Sequence, residues 1–578
     1  MRTALLVLLL GALAVLPYLP GLPGEFVYDD HRLIVDNEGL RRPFDARRAF
    51  LRDYYAADVD RMGLGYYRPV ALLSNEVDWR RSAGSPLAFH LTNLGLHAAC
   101  TVLVYTVARL LVGGSLWPAG LAAALFALNP AHAESVAFIS GRVDPLATLF
   151  GLAALAAHLR GRRGVHAWPW RAAAGAAWLL ALLSKEMAVT VPLVALLIDL
   201  GRGERRGWIA SYAPYAAATA LYLPLRLAAL GTLATPAPEW VQTAWWRPPV
   251  VVGSYLAWTV WPPPGLHLEP EPVTGALAWG AAALALSSGL LALFLWRRGA
   301  RVPAALLLAL PLTLLPVAQL RPLETALSER FLYLPTAVAA LAAAAVLPAG
   351  KARVGIVAAA ALLGAGYLAV LVPRARLWRD EAALWTAHTR AEPRAVKGWL
   401  NLGRARVADG DPAGAQQAYA QARALAPDLP IEGEMAVFGG GPLDQRIAGV
   451  RATLSRTPED GSLWANLGFL LLEAKEAPEA RDAFRRSVAV TPARARGWLG
   501  LALAELQLGA LGEADAAAAR AAALDPTLGL AQALRVECAL RAGQPCEALR
   551  RAEGLTLADP DESAALERLL AVARKECP

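Results

Sequence analysis

The chain has 578 residues, 56% hydrophobic and only 18% charged, with a mean hydropathy of +0.38; against the roughly 25% charge of ordinary soluble domains, this excludes a single water-soluble globule and indicates a membrane protein. The 56 basic residues outnumber the 48 acidic ones by 8, but many arginines flank apolar segments, where they set topology, so a nucleic-acid role is set aside. Cys100, Cys538, Cys546 and Cys577 form no CxxC pair, which gives no support to a zinc-thiolate or thiol-redox site.

The predicted fold is all-α, with a polytopic membrane domain over 1–375 and a helical repeat domain over 376–578. The apolar run at about 4–20 has no small-residue cleavage site after it and reads as an uncleaved anchor. Further spans are expected near 88–112, 115–129, 144–160, 171–184, 187–200, 208–229, 274–296, 302–318, 331–348 and 353–372, roughly eleven crossings of a ~30 Å hydrocarbon core. The short-loop cations Arg2, Arg160, Arg162, Arg163, Arg202, Arg205, Arg206, Arg297, Arg298, Arg301, Lys351 and Arg353 then share one side, which is the cytoplasmic one. Loops 21–87, 130–143, 230–273 and 319–330 face outward, as does everything after Pro373. The apolar stretch from Val250 to Trp261 is short and runs into Pro262-Pro263-Pro264-Gly265, so it reads as re-entrant or interfacial.

After Arg376 a period appears. Trp464 and Trp498 are 34 apart, and Pro427, Pro458, Pro492, Pro526 and Pro560 are spaced 31, 34, 34 and 34. With Trp399, Leu402, Gly403, Ala415 and Tyr419 in one unit and Trp464, Leu467, Gly468, Ala480 and Phe484 in another, this is the tetratricopeptide (TPR) pattern, in which large side chains fill gaps left by small ones on the facing helix. Segment 428–460, with Phe438-Gly439-Gly440-Gly441-Pro442, reads as a degenerate unit, as does the one ending at Pro560. A TPR stack offers a concave surface for an extended peptide, and Cys538 and Cys546 on neighbouring helices are a disulfide candidate in an oxidising compartment.

Polar clusters gather at the outward ends of the spans, where ionisable groups are costly unless they line a wet cavity. Phe26-Val27-Tyr28-Asp29-Asp30-His31 carries paired carboxylates, able to hold a cation or to work as a base and its partner. In 129–144, His132, Glu134, Arg142 and Asp144 are candidates for a polar pocket, with Glu134 and Arg142 on one side if the segment is helical. Tyr67-Arg68-Pro69, Ser184-Lys185-Glu186 and Ser328-Glu329-Arg330-Phe331-Leu332-Tyr333 add cations suited to a phosphate or pyrophosphate.

These pieces, together with Phe89-His90-Leu91-Thr92-Asn93 and the TPR tail, resemble the GT-C superfamily of polyprenyl-phosphate-sugar-dependent glycosyltransferases, and specifically its transmembrane-and-TPR O-mannosyltransferases. The likeness runs along nearly the whole chain. It implies inverting transfer of a sugar, mannose or another hexose, from a polyprenyl-phosphate carrier to a Ser or Thr hydroxyl of a translocated protein. Asp29 is then the catalytic carboxylate, as base or acceptor-orienting group, and Asp30 its partner, Arg330 and Lys185 face the leaving phosphate, Arg68 and Arg142 position it, and Glu134 and Asp144 bind sugar or acceptor. Glu186, Glu329, Tyr333 and His132 complete the expected substrate site. Asn129 stands where eukaryotic members often carry histidine. No glycine-rich dinucleotide fingerprint points to a soluble nucleotide-sugar enzyme. No cofactor is assigned, although a divalent cation at the acidic pair stays open. The expected partners are the lipid-linked donor, membrane lipid and an acceptor polypeptide on the TPR surface. The expected location is a bacterial inner membrane, with the site and the repeats on the periplasmic side. Alternatives are a transferase acting on a lipid or polysaccharide, a non-catalytic TPR scaffold and a lipid-carrier transporter; the crowding of charges toward span ends counts against the last.

Overall fold

The computed structural model describes residues 2–41, 44–55, 65–162, 167–233, 244–268, 270, 274–321, 323, 325–348, 354–426, 442–525, 528–553, 555 and 560–577. Every regular element among them is helical. Six helices are long and apolar enough to cross a membrane: Arg2–Gly21, Pro86–Leu111, Ile139–Gly161, Gly275–Arg297, Glu329–Val346 and Val354–Leu377; Leu116–Leu128 and Arg301–Val317 are shorter apolar helices. Helices Ala167–Leu182, Val191–Arg202 and Trp208–Leu230 occupy the remaining expected spans. Arg247–Val260 is a helix of 14 residues, followed by an extended Trp261.

Local chemistry sets the ends. Pro69 and Pro86 open their helices at positions where no intrahelical N–H is needed. Gly203, at φ 72°, closes Val191–Arg202 in the left-handed conformation that disfavours any side chain. Burial then sorts the spans: Ile139–Gly161 is 83% buried along its apolar window and Gly275–Arg297 only 6%. The first is a central packing element against Pro86–Leu111 and Ala167–Leu182. The second presents Leu277, Trp279, Leu286 and Leu290 outward, as a lipid-facing helix does.

One compact unit comprises 1–35, 45–55 and 63–393. Helix Glu381–Ala391, in the stretch assigned from sequence to the repeat domain, packs within it, and Trp378 stacks on Phe138 at 4.8 Å. The other unit comprises 36–44, 56–62 and 394–578. Its helix pairs show why the 34-residue pattern exists. A Cβ on Gly468 or Gly500 would strike the Phe484 ring, so small residues on two helices make the slot for one aromatic. Trp464 Nε1 donates to the Pro458 carbonyl at 2.8 Å, and Trp498 repeats the bond to Pro492 at 2.7 Å. The segment 438–441 lies outside the described residues.

The disulfide is Cys546–Cys577, with Cα atoms 5.1 Å apart, and not Cys538–Cys546. Helix Pro560–Glu576 brings Cys577 back beside the first turn of helix Pro545–Ala552, while Cys538 is buried in the apolar core of the preceding repeats. Burial pushes the Cys538 thiol up to about 11.

Candidate active site

The loop after the first helix turns sharply at Tyr28, whose φ of 54° is unusual for a residue with a Cβ. That turn sends the two following carboxylates in different directions. Asp30 points inward and is fully buried: Oδ2 accepts the Val27 N–H at 3.1 Å, and Oδ1 accepts the Ser140 N–H at 2.8 Å and the Ser140 hydroxyl at 2.5 Å. Burial pushes its carboxyl up to about 7, against the three donors that favour the anion. Asp29 is half-buried, and its Oδ2 accepts the Tyr55 hydroxyl at 3.1 Å. The turn is also held from helix Glu381–Ala391: Glu381 accepts the Tyr28 N–H at 3.3 Å and meets His31 Nε2 at 2.9 Å, while Trp385 packs edge-on against Tyr28.

Asp53 positions Tyr55. Its carboxylate accepts the N–H groups of Tyr55, Gly65 and Tyr66 at 2.7, 2.5 and 2.8 Å, closing the base of the loop, and Tyr54 N–H adds a bond to Tyr66 O at 2.7 Å. The Tyr55 phenol is buried, which raises its pKa well above the ordinary value, and it lies within electrostatic reach of Asp29, Arg330 and Arg68. Arg68 extends beneath Tyr66 and Tyr54, 4.5 and 5.4 Å from their ring centroids, and pairs with Glu186 at 3.3 Å. Glu186 also meets Arg226 at 3.5 Å. Burial alone would raise the Glu186 carboxyl, but Arg68, Arg226 and Lys185 together hold it below its ordinary value.

Lys185 is buried against Asp144 at 2.5 Å, with the Phe331 ring 4.8 Å from its ammonium. Burial pushes it down to about 8, Asp144 opposes the shift, and Arg68 and Arg330 add to it. Three cations therefore gather at one place. Arg330 reaches it from a segment anchored by Glu134, which accepts the Ser328 hydroxyl at 3.0 Å and the Arg330 N–H at 3.1 Å and pairs with the Arg330 guanidinium at 3.6 Å. Burial pushes Glu134 up to about 7 despite those contacts.

The other sequence candidates sit elsewhere. Segment 130–142 is entirely buried within the helical unit, and it is three short helices rather than one, interrupted by extended Phe138. Glu134 and Arg142 consequently do not share a side. Arg142 is sealed by Asp78 at 2.6 Å, Ser74 at 3.0 Å and the Phe89 carbonyl at 3.1 Å. His132 is buried among Phe126, His97 and Tyr333, with Nε2 2.7 Å from the Thr336 hydroxyl; burial, with His97 close by, holds it neutral. The Tyr333 hydroxyl is buried 2.6 Å from His97 Nδ1. Glu329 pairs with Arg374 at 2.6 Å. Asp29 and Asp30 do not chelate, since they face apart, and among the described residues no group of three or more His, Cys, Asp or Glu could hold a metal ion.

Parts of the chain match known proteins. Protein O-mannosyl-transferase Tmtc2 of Drosophila melanogaster is 38% identical over 200 residues, which is 33% of this chain and 21% of the relative. The human TMTC2 is 34% identical over 194 residues, 33% of this chain and 23% of its own length. The chain is similar to protein O-mannosyltransferases. It spans between a fifth and a quarter of the length of these relatives. A tetratricopeptide repeat protein from Parabacteroides merdae, 19% identical, covers 36% of this chain and 83% of its own at a TM-score of 0.30. No family model matches.

Tyr55, Ser140, Arg226 and Glu381 are residues of this arrangement that sequence reasoning did not single out. The available signal was the pair of tyrosine doublets, Tyr54-Tyr55 and Tyr66-Tyr67, with Asp53 before the first. Glu381 follows Asp380 at a helix start, where an acid reads as ordinary capping. Chemically, a half-buried carboxylate beside a buried phenol can accept a proton, and clustered Arg68, Lys185 and Arg330 can neutralise a phosphate.

Proposed function

We propose that the chain is a membrane protein glycosyltransferase that moves a hexose, mannose by resemblance, from a polyprenyl-phosphate carrier to a Ser or Thr hydroxyl of a polypeptide. The observation that carries the reading is the half-open Asp29 next to Tyr55, with Arg68, Lys185 and Arg330 in reach of the same place. Asp29 takes the acceptor hydroxyl proton as that oxygen bonds to the anomeric carbon. The bond from this carbon to the phosphate oxygen breaks on the opposite face, inverting the centre, and the lipid phosphate leaves with its charge met by Arg330 and Lys185. Asp30 is a positioning residue, fixing the Asp29 turn to Ser140. The TPR repeats present the acceptor. The site and the repeats lie on the periplasmic side of an inner membrane; the Cys546–Cys577 disulfide suits an oxidising compartment, and the short-loop arginines suit the opposite side.

The test is transfer from synthetic polyprenyl-phosphate-mannose to periplasmic protein by the full chain in detergent. Labelled protein that depends on Asp29 supports the reading. Label appearing only on lipid or polysaccharide replaces the acceptor, and no turnover with any lipid-linked hexose overturns the enzyme.

A further inference from the structure

A cavity of about 530 Å³ lies between the start of helix Arg2–Val15 and the ends of Pro86–Leu111 and Val143–Gly161. Arg109 and Arg160 line it, and no carboxylate does among the described residues. Among the described residues neither arginine makes an ion pair: Arg109 sits 5.6 Å from the Tyr105 ring centroid and Arg160 5.1 Å from that of Trp170. Two polar atoms on its walls are buried without a partner, Arg109 Nε and the hydroxyl of Tyr105, a residue only 2% exposed. Such orphaned groups are costly unless a ligand satisfies them. Val7 and Leu110 supply an apolar wall.

The depth of the cavity in the membrane follows from its helices. Phe89, beside the Arg142 cluster, and Arg109 are on the same helix, and 20 residues at ~1.5 Å each put ~30 Å between them, about one hydrocarbon thickness. The cavity is therefore at the opposite membrane interface from Asp29. Exposed Trp168 and Trp170 mark the same level, as interfacial aromatics do, and Leu5, Leu8 and Leu9 are exposed along the adjoining helix for acyl chains to cover. Two unpaired guanidiniums, an unpartnered phenol and an apolar wall at a headgroup level match an anionic lipid phosphate.

We propose that this cavity binds the phosphodiester headgroup of an anionic phospholipid, pinning helix Arg2–Val15 to its two neighbours on the face away from the candidate active site. Native mass spectrometry of the full chain, exchanged into micelles doped equally with phosphatidylglycerol and phosphatidylcholine, tests it. The unaltered chain should retain phosphatidylglycerol at least about fivefold over phosphatidylcholine. Arg109→Gln with Arg160→Gln should abolish that preference, while Arg297→Gln with Arg298→Gln, at exposed positions, should keep it. Tyr105→Phe, which removes only the hydroxyl, should weaken retention and decides the matter if the double variant does not fold. Equal retention of both lipids, or an undiminished preference in the Arg109/Arg160 variant, overturns the proposal. Displacement of the lipid by millimolar inorganic phosphate, with a phosphate adduct in its place, assigns the site to a free anion and overturns the lipid.

Discussion

Asp29 and Asp30 are adjacent in sequence, and their asparagine variants should fail in different ways. In Asp30→Asn, the amide that replaces Oδ2 faces the Val27 N–H donor, or, if flipped, the amide NH₂ faces the Ser140 N–H. At least one buried donor is stranded and the remaining bonds lose their charge, at a cost of about 1–3 kcal/mol. For Asp29→Asn, the half-buried amide still accepts from Tyr55 through its oxygen, so stability should shift by less than in Asp30→Asn. Turnover should behave in the reverse order of severity. Losing a general base removes about 10²–10⁴-fold in rate, whereas Asp30→Asn acts only through a looser turn and should leave measurable activity. The assay pairs thermal unfolding in detergent with transfer from polyprenyl-phosphate-mannose at saturating donor. Normal turnover by Asp29→Asn refutes the base assignment. Equal loss of stability in both variants refutes the division of the pair into an open and an anchored carboxylate.

Lys185, pushed down to about 8 by burial, should impose a fall in turnover as pH rises through that value, because the neutral amine no longer balances a leaving phosphate; Lys185→Arg should remove this limb from the pH profile. Its folded pKa lies below the ordinary lysine value of 10.5, so the unfolded chain binds more protons between the two values and the group's contribution to stability rises with pH over that window. Loss of activity without loss of melting temperature therefore separates titration from unfolding. Reducing Cys546–Cys577, which closes 31 residues of chain, should destabilise the end of the repeat unit by about 3–4 kcal/mol on the chain-entropy account, read as earlier proteolysis of the C-terminal helices. Gly500→Ala should cost about 1–3 kcal/mol by forcing a methyl group into the Phe484 ring, measured by denaturant unfolding. Truncation after Pro393 should depress protein-acceptor use more than donor hydrolysis, whereas truncation at 376 should abolish both, because it removes Glu381 and Trp385 from the Tyr28 turn.

The TPR pattern was legible because each repeat writes the same local contacts: the Trp-to-proline-carbonyl bond and the glycine slots for Phe484 recur at fixed spacing. The long spans were legible from length and apolarity, which need no knowledge of neighbours. Side-chain destinations were not. Arg142 is paired with a residue 64 positions earlier and Glu134 with residues about 195 later, and no periodicity encodes either. A single helix over 131–144, the condition for Glu134 and Arg142 to share a side, is broken by the extended Phe138. The disulfide expectation joined cysteines near in sequence, whereas the helix after Cys546 returns a more distant one to its side.

The candidate site combines two demands that pull against each other. A base must stay reachable, and clustered cations must be held together against repulsion. The structure divides them between supports. Arg68, Lys185 and Arg330 are each paired with a different carboxylate, Glu186, Asp144 and Glu134. Asp29 accepts from the neutral Tyr55 phenol, and a neutral donor suppresses basicity less than a cation would. Replacing Tyr55 with an arginine would therefore be expected to lower the Asp29 pKa and slow proton abstraction, even though it would bring one more positive charge toward the phosphate.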